Sequence, residues 1–153
     1  MSLSVDFSGL SFLHSTPVQV RYSDVDRMNH VTNSVLVAYC DVGRMAYFKE
    51  VLQEDIGPSS TSLIIASMTV DFLQPVFLFD SMMAQSKVIE IGNKSLTMAQ
   101  QLVHAETGTV KTRAITVLCG YHYGEARTIV IPRPWREKIE CYEGKVRYKQ
   151  VTS

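Results

Sequence analysis

The chain has 153 residues, and its 15 Lys and Arg side chains balance 15 Asp and Glu side chains. This length suits a single domain, 1–153, that buries roughly two thirds of its unfolded surface. Balanced charge without a block of like charges argues against nucleic acid and anionic membranes as partners. The N-terminus lacks a basic signal region and no apolar run reaches membrane length, so a soluble, cytoplasmic protein is expected.

The three cysteines, Cys40, Cys119 and Cys141, are odd in number and far apart in the sequence. This pattern is typical of free thiols in a reducing compartment, with Cys40 and Cys119 buried in apolar elements. The remaining candidate ligands show no spacing that suits a metal ion, so no metal site is predicted.

Hydrophobic periodicity and turn residues predict the elements in chain order. A first strand is expected at 18–22, opened by Pro17, and a helix at 33–52, stopped by Gly57 and Pro58. Four alternating strands follow at 63–73, 82–91, 95–105 and 110–121, joined as antiparallel hairpins. An edge strand at 128–131 and a short helix at 135–142 complete the chain. This is an α+β fold in which the sheet must curl around one long helix.

An acidic loop, Asp24-Val25-Asp26-Arg27-Met28-Asn29-His30, separates the first strand from the long helix and carries Asp26. Thr32, Asn33 and Ser34 are all N-cap residue types, so the helix should begin near Asn33, beside that carboxylate. The first amides of a helix lack partners and can stabilise an oxyanion on a carbonyl group. A neighbouring carboxylate can attack the carbonyl carbon or take a proton from attacking water. The junction therefore predicts carbonyl hydrolysis.

At these residues the sequence resembles the hot-dog-fold acyl-CoA thioesterases of the 4-hydroxybenzoyl-CoA thioesterase family. The resemblance covers about 17–143 and rests on Asp24-Val25-Asp26, on His30-Val31-Thr32-Asn33, and on Tyr39 with Arg44. The chain departs from the common pattern at Thr32, Asp41 and Gly43, where Asn, Glu and Ala are usual. These departures leave the nucleophile in place but leave the acyl group, fatty or aryl, undetermined.

The resemblance implies hydrolysis of an acyl-CoA to a free acid and CoA-SH. Asp26 would be the nucleophile or the general base, and the Asn33 amide would face the thioester oxygen. His30 would orient Asp26, contact the substrate, or serve only as a structural residue. No cofactor is implied, because CoA is part of the substrate.

The family also pairs two subunits edge to edge, with acyl-CoA in the groove between them. A homodimer or homotetramer is therefore expected. In the family's hairpin at 91–95, basic side chains of the partner meet the CoA phosphates, which makes Lys94 and Ser95 candidates. Arg113, which alternates with Lys111 on one strand face, would extend this positive rim.

Two other activities of the same fold stay open: a non-catalytic acyl-CoA-binding module and an acyl-carrier-protein thioesterase. A retained Asp26 favours catalysis, since a binding module needs no attacking carboxylate. Asp24 is expected to cap the acidic turn, and Asp41 to pair with Arg44 rather than act as the base. Gly43 is expected to mark close packing of the helix on the sheet.

Overall fold

The computed structural model describes residues 5–53 and 61–149. The long helix, α1, covers Asn33–Tyr47 and continues into a π-helical turn, Phe48–Leu52. A second helix, α2, covers Arg133–Glu143. The strands are β1 His14–Val18, β2 Thr61–Phe72, β3 Met82–Ile91, β4 Ser95–His104, β5 Val110–His122, β6 Arg127–Ile129 and β7 Arg147–Tyr148. The predicted helix stop at Gly57 and Pro58 lies outside the described residues.

The strands form one sheet in the order β1-β3-β4-β5-β2, and all neighbours on this path are antiparallel. β6 adds to β5, and β7 pairs in parallel with β3. Helix α1 packs on the face formed by β1, β3 and β4. The prediction of an α+β fold, with one long helix against an antiparallel sheet, is confirmed.

The predicted first strand at 18–22 is wrong, because the strand ends at Val18 where its pairing with β3 stops. Pro17 lies inside β1 rather than at its opening, opposite Met83. An edge strand tolerates proline because one side of its backbone needs no ladder hydrogen bond. The following residues instead form a short 3-10 turn, Tyr22–Asp24.

The buried core is divided along α1 into two apolar clusters. One surrounds the first half of the helix and includes Leu36 and Tyr39, and the other surrounds its end and includes Tyr47 and Leu52. A polar group lies at the middle of the helix. There the buried Gln100 side chain donates to the Cys40 carbonyl at 2.8 Å.

The helix comes closest to the sheet at Gly43. A Cβ atom on this residue would lie 2.7 Å from the Cβ of Ala84, a distance that real contacts essentially never show. One residue further, the buried Arg44 donates to Gln100 Oε1 at 3.2 Å and to the carboxylate of Asp41. The predicted close packing at Gly43 and the predicted Asp41–Arg44 pair are both confirmed.

All three cysteines are free thiols, as predicted, although their exposure differs. Cys40 is buried, Cys119 is partly exposed rather than buried, and Cys141 is exposed. Within the described ranges, no helix has the length and apolar character that a membrane crossing requires.

Candidate active site

The acidic loop folds back on itself between the 3-10 turn and α1. Val25 bridges Val31, the Asp26 N–H donates to the His30 carbonyl at 2.9 Å, and the Asn29 N–H donates to the Asp26 carbonyl at 3.0 Å. Asn29 has φ 62°, in the left-handed region that asparagine tolerates better than most residues. The loop is therefore a closed hairpin with Asp26 at its start.

The Asp26 carboxylate is oriented by the backbone of its own loop. Its Oδ1 atom accepts from the Met28 N–H at 2.9 Å and from the His30 N–H at 3.2 Å. Short acidic side chains in loops commonly make such bonds, so they do not by themselves mark a catalytic residue. They do fix the side chain, and Oδ2 has no hydrogen-bond partner in the described part of the chain.

Helix α1 begins at Asn33, as predicted, with Thr32 as its N-cap. The Thr32 side chain makes no capping bond, and the N–H groups of Val35 and Leu36 both donate to the Thr32 carbonyl. The Thr32 carbonyl is the first acceptor of the helix. The N–H groups of Asn33 and Ser34 are too close to Thr32 in the chain to reach an acceptor within the helix. Two orphan amides thus remain at the positive end of the helix dipole.

These features meet in one cavity of about 430 Å³. One wall is formed by the predicted catalytic residues Asp26, His30 and Asn33, and the structure therefore brings all three together. The facing wall is formed by the end of β2 and the residues after it: Phe72, Leu73, Gln74 and Pro75. The cavity places an exposed carboxylate and a helix N-terminus within reach of one small ligand.

The facing wall was not predicted from the sequence, where Gln74 and Pro75 fall in the connection between the strands expected at 63–73 and 82–91. The N–H groups of Leu73 and Gln74 both donate to the Lys111 carbonyl, at 2.9 and 3.1 Å, which extends the pairing of β2 with β5 past Phe72. The one signal in the sequence is a polar amide between an apolar strand end and a proline. Such a signal does not reveal which cavity the residue lines.

Asp26 also lines a second cavity, of about 490 Å³. It is lined also by Tyr22, Val25, Arg27 and Leu78, and the Tyr22 side chain is largely exposed. Asp26 can therefore be approached from two sides.

His30 positions Asp26 through its backbone rather than through its ring. The imidazole packs edge-on against Phe77, with the ring centroids 5.0 Å apart, and the two residues also form a backbone bridge. These contacts directly support the interpretation that the His30 ring has a structural role. A substrate contact of the ring stays a prediction, because His30 also lines the cavity.

The predicted CoA-contacting residues do not meet in one chain. Lys94 and Ser95 lie at the β3–β4 hairpin, where the Gly120 N–H donates to the Lys94 carbonyl at 3.0 Å. Arg113 lies near the other end of β5, opposite Asp71, with its guanidinium 5.0 Å from the centre of the Phe7 ring. Arg113 and Gly120 are seven residue steps apart along β5, which is roughly 23 Å of extended strand.

Asp24 is the buried acid of the loop, with only 2% of its surface exposed. It accepts from the Tyr39 hydroxyl at 2.6 Å, the Arg21 N–H at 3.0 Å and Arg21 Nη2 at 3.2 Å. The Tyr39 hydrogen bond holds the pKa of this carboxyl below its ordinary value, against the opposing effect of burial. The predicted turn-capping role of Asp24 is confirmed, and the bond to α1 adds to it.

No group of three or more His, Cys, Asp or Glu side chains stands close enough to hold a metal ion within residues 5–53 and 61–149. The cavity itself presents Asp26 and the first residues of α1. A carboxylate and an orphan N–H that face one ligand suit attack on a carbonyl group and stabilisation of the resulting oxyanion.

Comparison with known proteins identifies the family to which this chain belongs. YbgC of Escherichia coli, an acyl-CoA thioester hydrolase, is 26% identical over 105 residues, which are 67% of this chain and 78% of YbgC. YsmA of Bacillus subtilis is 29% identical over 90 residues, and the alignment spans 58% of this chain and 59% of YsmA.

A solved structure agrees with these relatives. The thioesterase of Thermus thermophilus, crystallised with coenzyme A and Zn, has a TM-score of 0.75 and is 29% identical; the match covers 88% of this chain and 97% of that protein. The predicted hot-dog fold and the predicted class of thioester hydrolases both agree with this neighbour. The model of the thioesterase-like superfamily matches residues 20–139, from the acidic loop into α2. The chain therefore belongs to the thioesterase-like superfamily, as the sequence predicted.

Proposed function

We propose that this protein hydrolyses the thioester of an acyl-CoA, with Asp26 as the reacting carboxylate. The observation that carries the proposal is the cavity that Asp26 lines together with Asn33, the first residue of α1. The thioester oxygen accepts a hydrogen bond from the Asn33 N–H, which makes the carbonyl carbon more electrophilic. The names of YbgC and of the Thermus thioesterase support acyl-CoA as the substrate class.

Two chemical routes use the same groups. As a general base, Asp26 takes a proton from water while the water oxygen adds to the carbonyl carbon. As a nucleophile, Asp26 adds directly and forms a mixed anhydride that water then hydrolyses. In both routes the carbon–sulfur bond breaks, CoA leaves as the thiolate and takes up a proton, and the acid is released. The oxyanion is stabilised by the helix amide throughout.

The first experiment measures CoA-SH release from short, medium, long-chain and aryl acyl-CoAs by the wild type and by Asp26→Asn. Loss of the base or nucleophile should lower kcat by ~100-fold or more with little change in acyl-CoA binding. Asp41→Asn is the matched control, because Asp41 pairs with Arg44 on the helix and does not line the cavity. A single turnover in ¹⁸O-water tests the nucleophilic route, because label enters the Asp26 carboxylate only when water attacks a mixed anhydride at the Asp26 carbonyl.

Each outcome has a distinct meaning. Turnover by the wild type and Asp41→Asn but not by Asp26→Asn supports the proposal. Equal turnover by Asp26→Asn would remove Asp26 from the chemistry. A wild type that binds acyl-CoA yet cleaves neither acyl-CoA nor an acyl-carrier-protein thioester would instead be a binding module, and cleavage of the carrier-protein substrate alone would identify the other thioesterase class.

We further propose that the protein acts as a dimer joined along β2. This strand is at one edge of the described sheet, and its middle residues, Ile65 to Ser67, are exposed. Two copies of one strand related by a two-fold axis pair antiparallel. The Thr61 end of the partner's β2 then lies beside the Phe72 end of the first, next to the cavity.

This pairing makes the site a shared one. Ile64 at the far end of β2 is opposite Cys119, and Cys119 is opposite Ser95, so the hairpin lies two strands from the interface. At ~5 Å between strands, Lys94 of the partner subunit is about 10 Å from the edge beside the cavity. An ammonium group at this place can bind a CoA phosphate that Lys94 of the same chain is too distant to reach.

Mixing two impaired variants tests the shared site. Asp26→Asn and Lys94→Glu dimers, each weak alone at low substrate concentration, should exchange subunits and recover roughly a quarter of the wild-type activity. The intact sites combine Asp26 of one subunit with Lys94 of the other. No recovery after proven exchange, or a monomer by light scattering, would contradict the shared site while leaving the assignment of Asp26 intact.

A further inference from the structure

The acidic loop is joined to α1 by a buried hydrogen bond that the reaction itself does not use. Asp24 lies two residues before Asp26, and its carboxylate accepts from the Tyr39 hydroxyl at 2.6 Å. Tyr39 is 5% exposed and lies in the second turn of α1, whose first turn supplies Asn33. One bond therefore connects the acidic loop, which carries the reacting carboxylate, with the helix that carries the amide donor.

A second contact joins the same two segments through the backbone. The Asp24 carbonyl accepts from the N–H of Thr32, the N-cap of α1, at 3.1 Å. Asp24 thus contacts the helix both at its N-cap and one to two turns further on. Two contacts at different positions along the helix fix both the distance and the orientation of the loop relative to the helix. A single contact would leave the loop free to rotate about it.

The side-chain bond has the character of a strong, charge-assisted one. The Tyr39 hydroxyl lowers the pKa of Asp24, while burial raises the pKa of the Tyr39 phenol and the Asp24 carboxylate raises it further. At neutral pH the pair therefore consists of an ionised acceptor and a neutral donor. Such bonds are shorter and roughly twice as strong as those between neutral groups.

We propose that Asp24 and Tyr39 are positioning residues that hold Asp26 at its reacting distance from the Asn33 amide. This inference rests on the proposed thioester hydrolysis at Asp26. Hydrolysis needs the carboxylate oxygen close to the carbonyl carbon while the carbonyl oxygen accepts a hydrogen bond from the amide. Displacement of a reacting group by about 1 Å can cost ~100-fold in rate, so a bond that fixes two separate segments contributes to catalysis without touching the substrate.

The chain offers a matched control for this pair. Tyr47 lies two turns further along α1, is fully buried, and donates its hydroxyl to the Glu143 carboxylate at 2.9 Å. Tyr39→Phe and Tyr47→Phe each remove one hydroxyl from a buried tyrosine–carboxylate bond on the same helix. The two bonds lie at different positions along the helix, because Tyr47 belongs to the apolar cluster at its far end.

The experiment compares kcat, KM and melting temperature for the wild type, Tyr39→Phe, Tyr47→Phe and Asp26→Asn, all well below their melting temperatures. Tyr39→Phe should lower kcat by ~10-fold or more with KM within about threefold, since ground-state binding does not depend on the alignment of Asp26. Tyr47→Phe should lose stability but keep kcat within about twofold.

Asp24→Asn, which preserves the size of the side chain, serves as a second variant if Tyr39→Phe folds poorly. It should lower kcat in the same direction, and the Asp24→Asn/Tyr39→Phe double variant should lose less than the product of the two effects.

The outcomes separate this inference from the proposal on which it rests. If Asp26→Asn is inactive and Tyr39→Phe has the wild-type kcat, the positioning role is refuted and the hydrolase stands. An equal loss of kcat in Tyr39→Phe and Tyr47→Phe would also refute it, since it would reflect general loss of stability. If the wild type cleaves no thioester, the proposed hydrolase fails and the positioning role fails with it.

Discussion

The two ends of α1 carry the same chemical pair for different purposes. At the N-terminal end Tyr39 donates to Asp24, which comes from only 15 residues away, and Asp26 beside it stays exposed. At the C-terminal end Tyr47 donates to Glu143, which comes from 96 residues away. The first pair holds a short local loop that must leave a carboxylate accessible. The second pair joins two distant parts of the chain.

The surroundings of the two pairs differ accordingly. The Glu143 carboxylate also accepts from the Val88 N–H at 3.1 Å and lies 3.5 Å from the ammonium of Lys87. His14 packs edge-on against Tyr47, with the ring centroids 5.3 Å apart. Glu143 thus bonds both a side chain of α1 and the backbone of β3, and neither of the two cavities that Asp26 lines includes the Tyr47–Glu143 pair. On our proposal, the two bonds differ because the first holds the segment that carries Asp26, whereas the second joins α1 to the end of α2.

The largest effect on stability should come from the C-terminal pair. Glu143→Leu leaves the Tyr47 hydroxyl and the Val88 N–H buried without an acceptor, so the free energy of unfolding should fall by ~2–5 kcal/mol in urea denaturation. Glu137→Leu on the same helix is the control, and its exposed ion pair with Arg133 predicts a change within ~1 kcal/mol. At temperatures where Glu143→Leu is folded, its kcat should match the wild type. A fall in kcat as large as that of Tyr39→Phe would remove the distinction between the two ends.

A smaller effect should appear in acid at the N-terminal pair. Because the pKa of Asp24 is lowered in the folded state, its contribution to stability is present above the unfolded value near 3.8 and is lost as the pH falls through the folded value. Melting temperature measured from pH 7 down to pH 3 should therefore decrease more for the wild type than for Asp24→Asn. Tyr39→Phe, which removes the main cause of the lowered pKa, should also flatten the curve. Parallel curves for all three proteins would show that the pair contributes nothing to acid stability.

The local elements near the site were predicted from local signals. Three consecutive N-cap residue types located the start of α1 at Asn33, and alternation with turn residues predicted β3 at 82–91 with its observed bounds. These signals suffice because helix starts and hairpin turns depend on a few neighbouring residues. The interpretation failed at 18–22, where the residues favour a strand but have no partner strand beyond Val18. A strand exists only where another strand provides its hydrogen bonds.

The sequence by itself determined the helix that begins at Asn33, the acidic loop before it and the family motif that singles out Asp26. Only the tertiary structure decided that Phe72 to Pro75 form the facing wall of the cavity, and that Tyr39 reaches Asp24 while Tyr47 reaches Glu143. The physical reason is the sequence separation over which each kind of interaction acts. Capping, turns and periodicity act between residues a few positions apart, whereas the partner of a buried hydroxyl is set by sheet register and helix packing between distant segments.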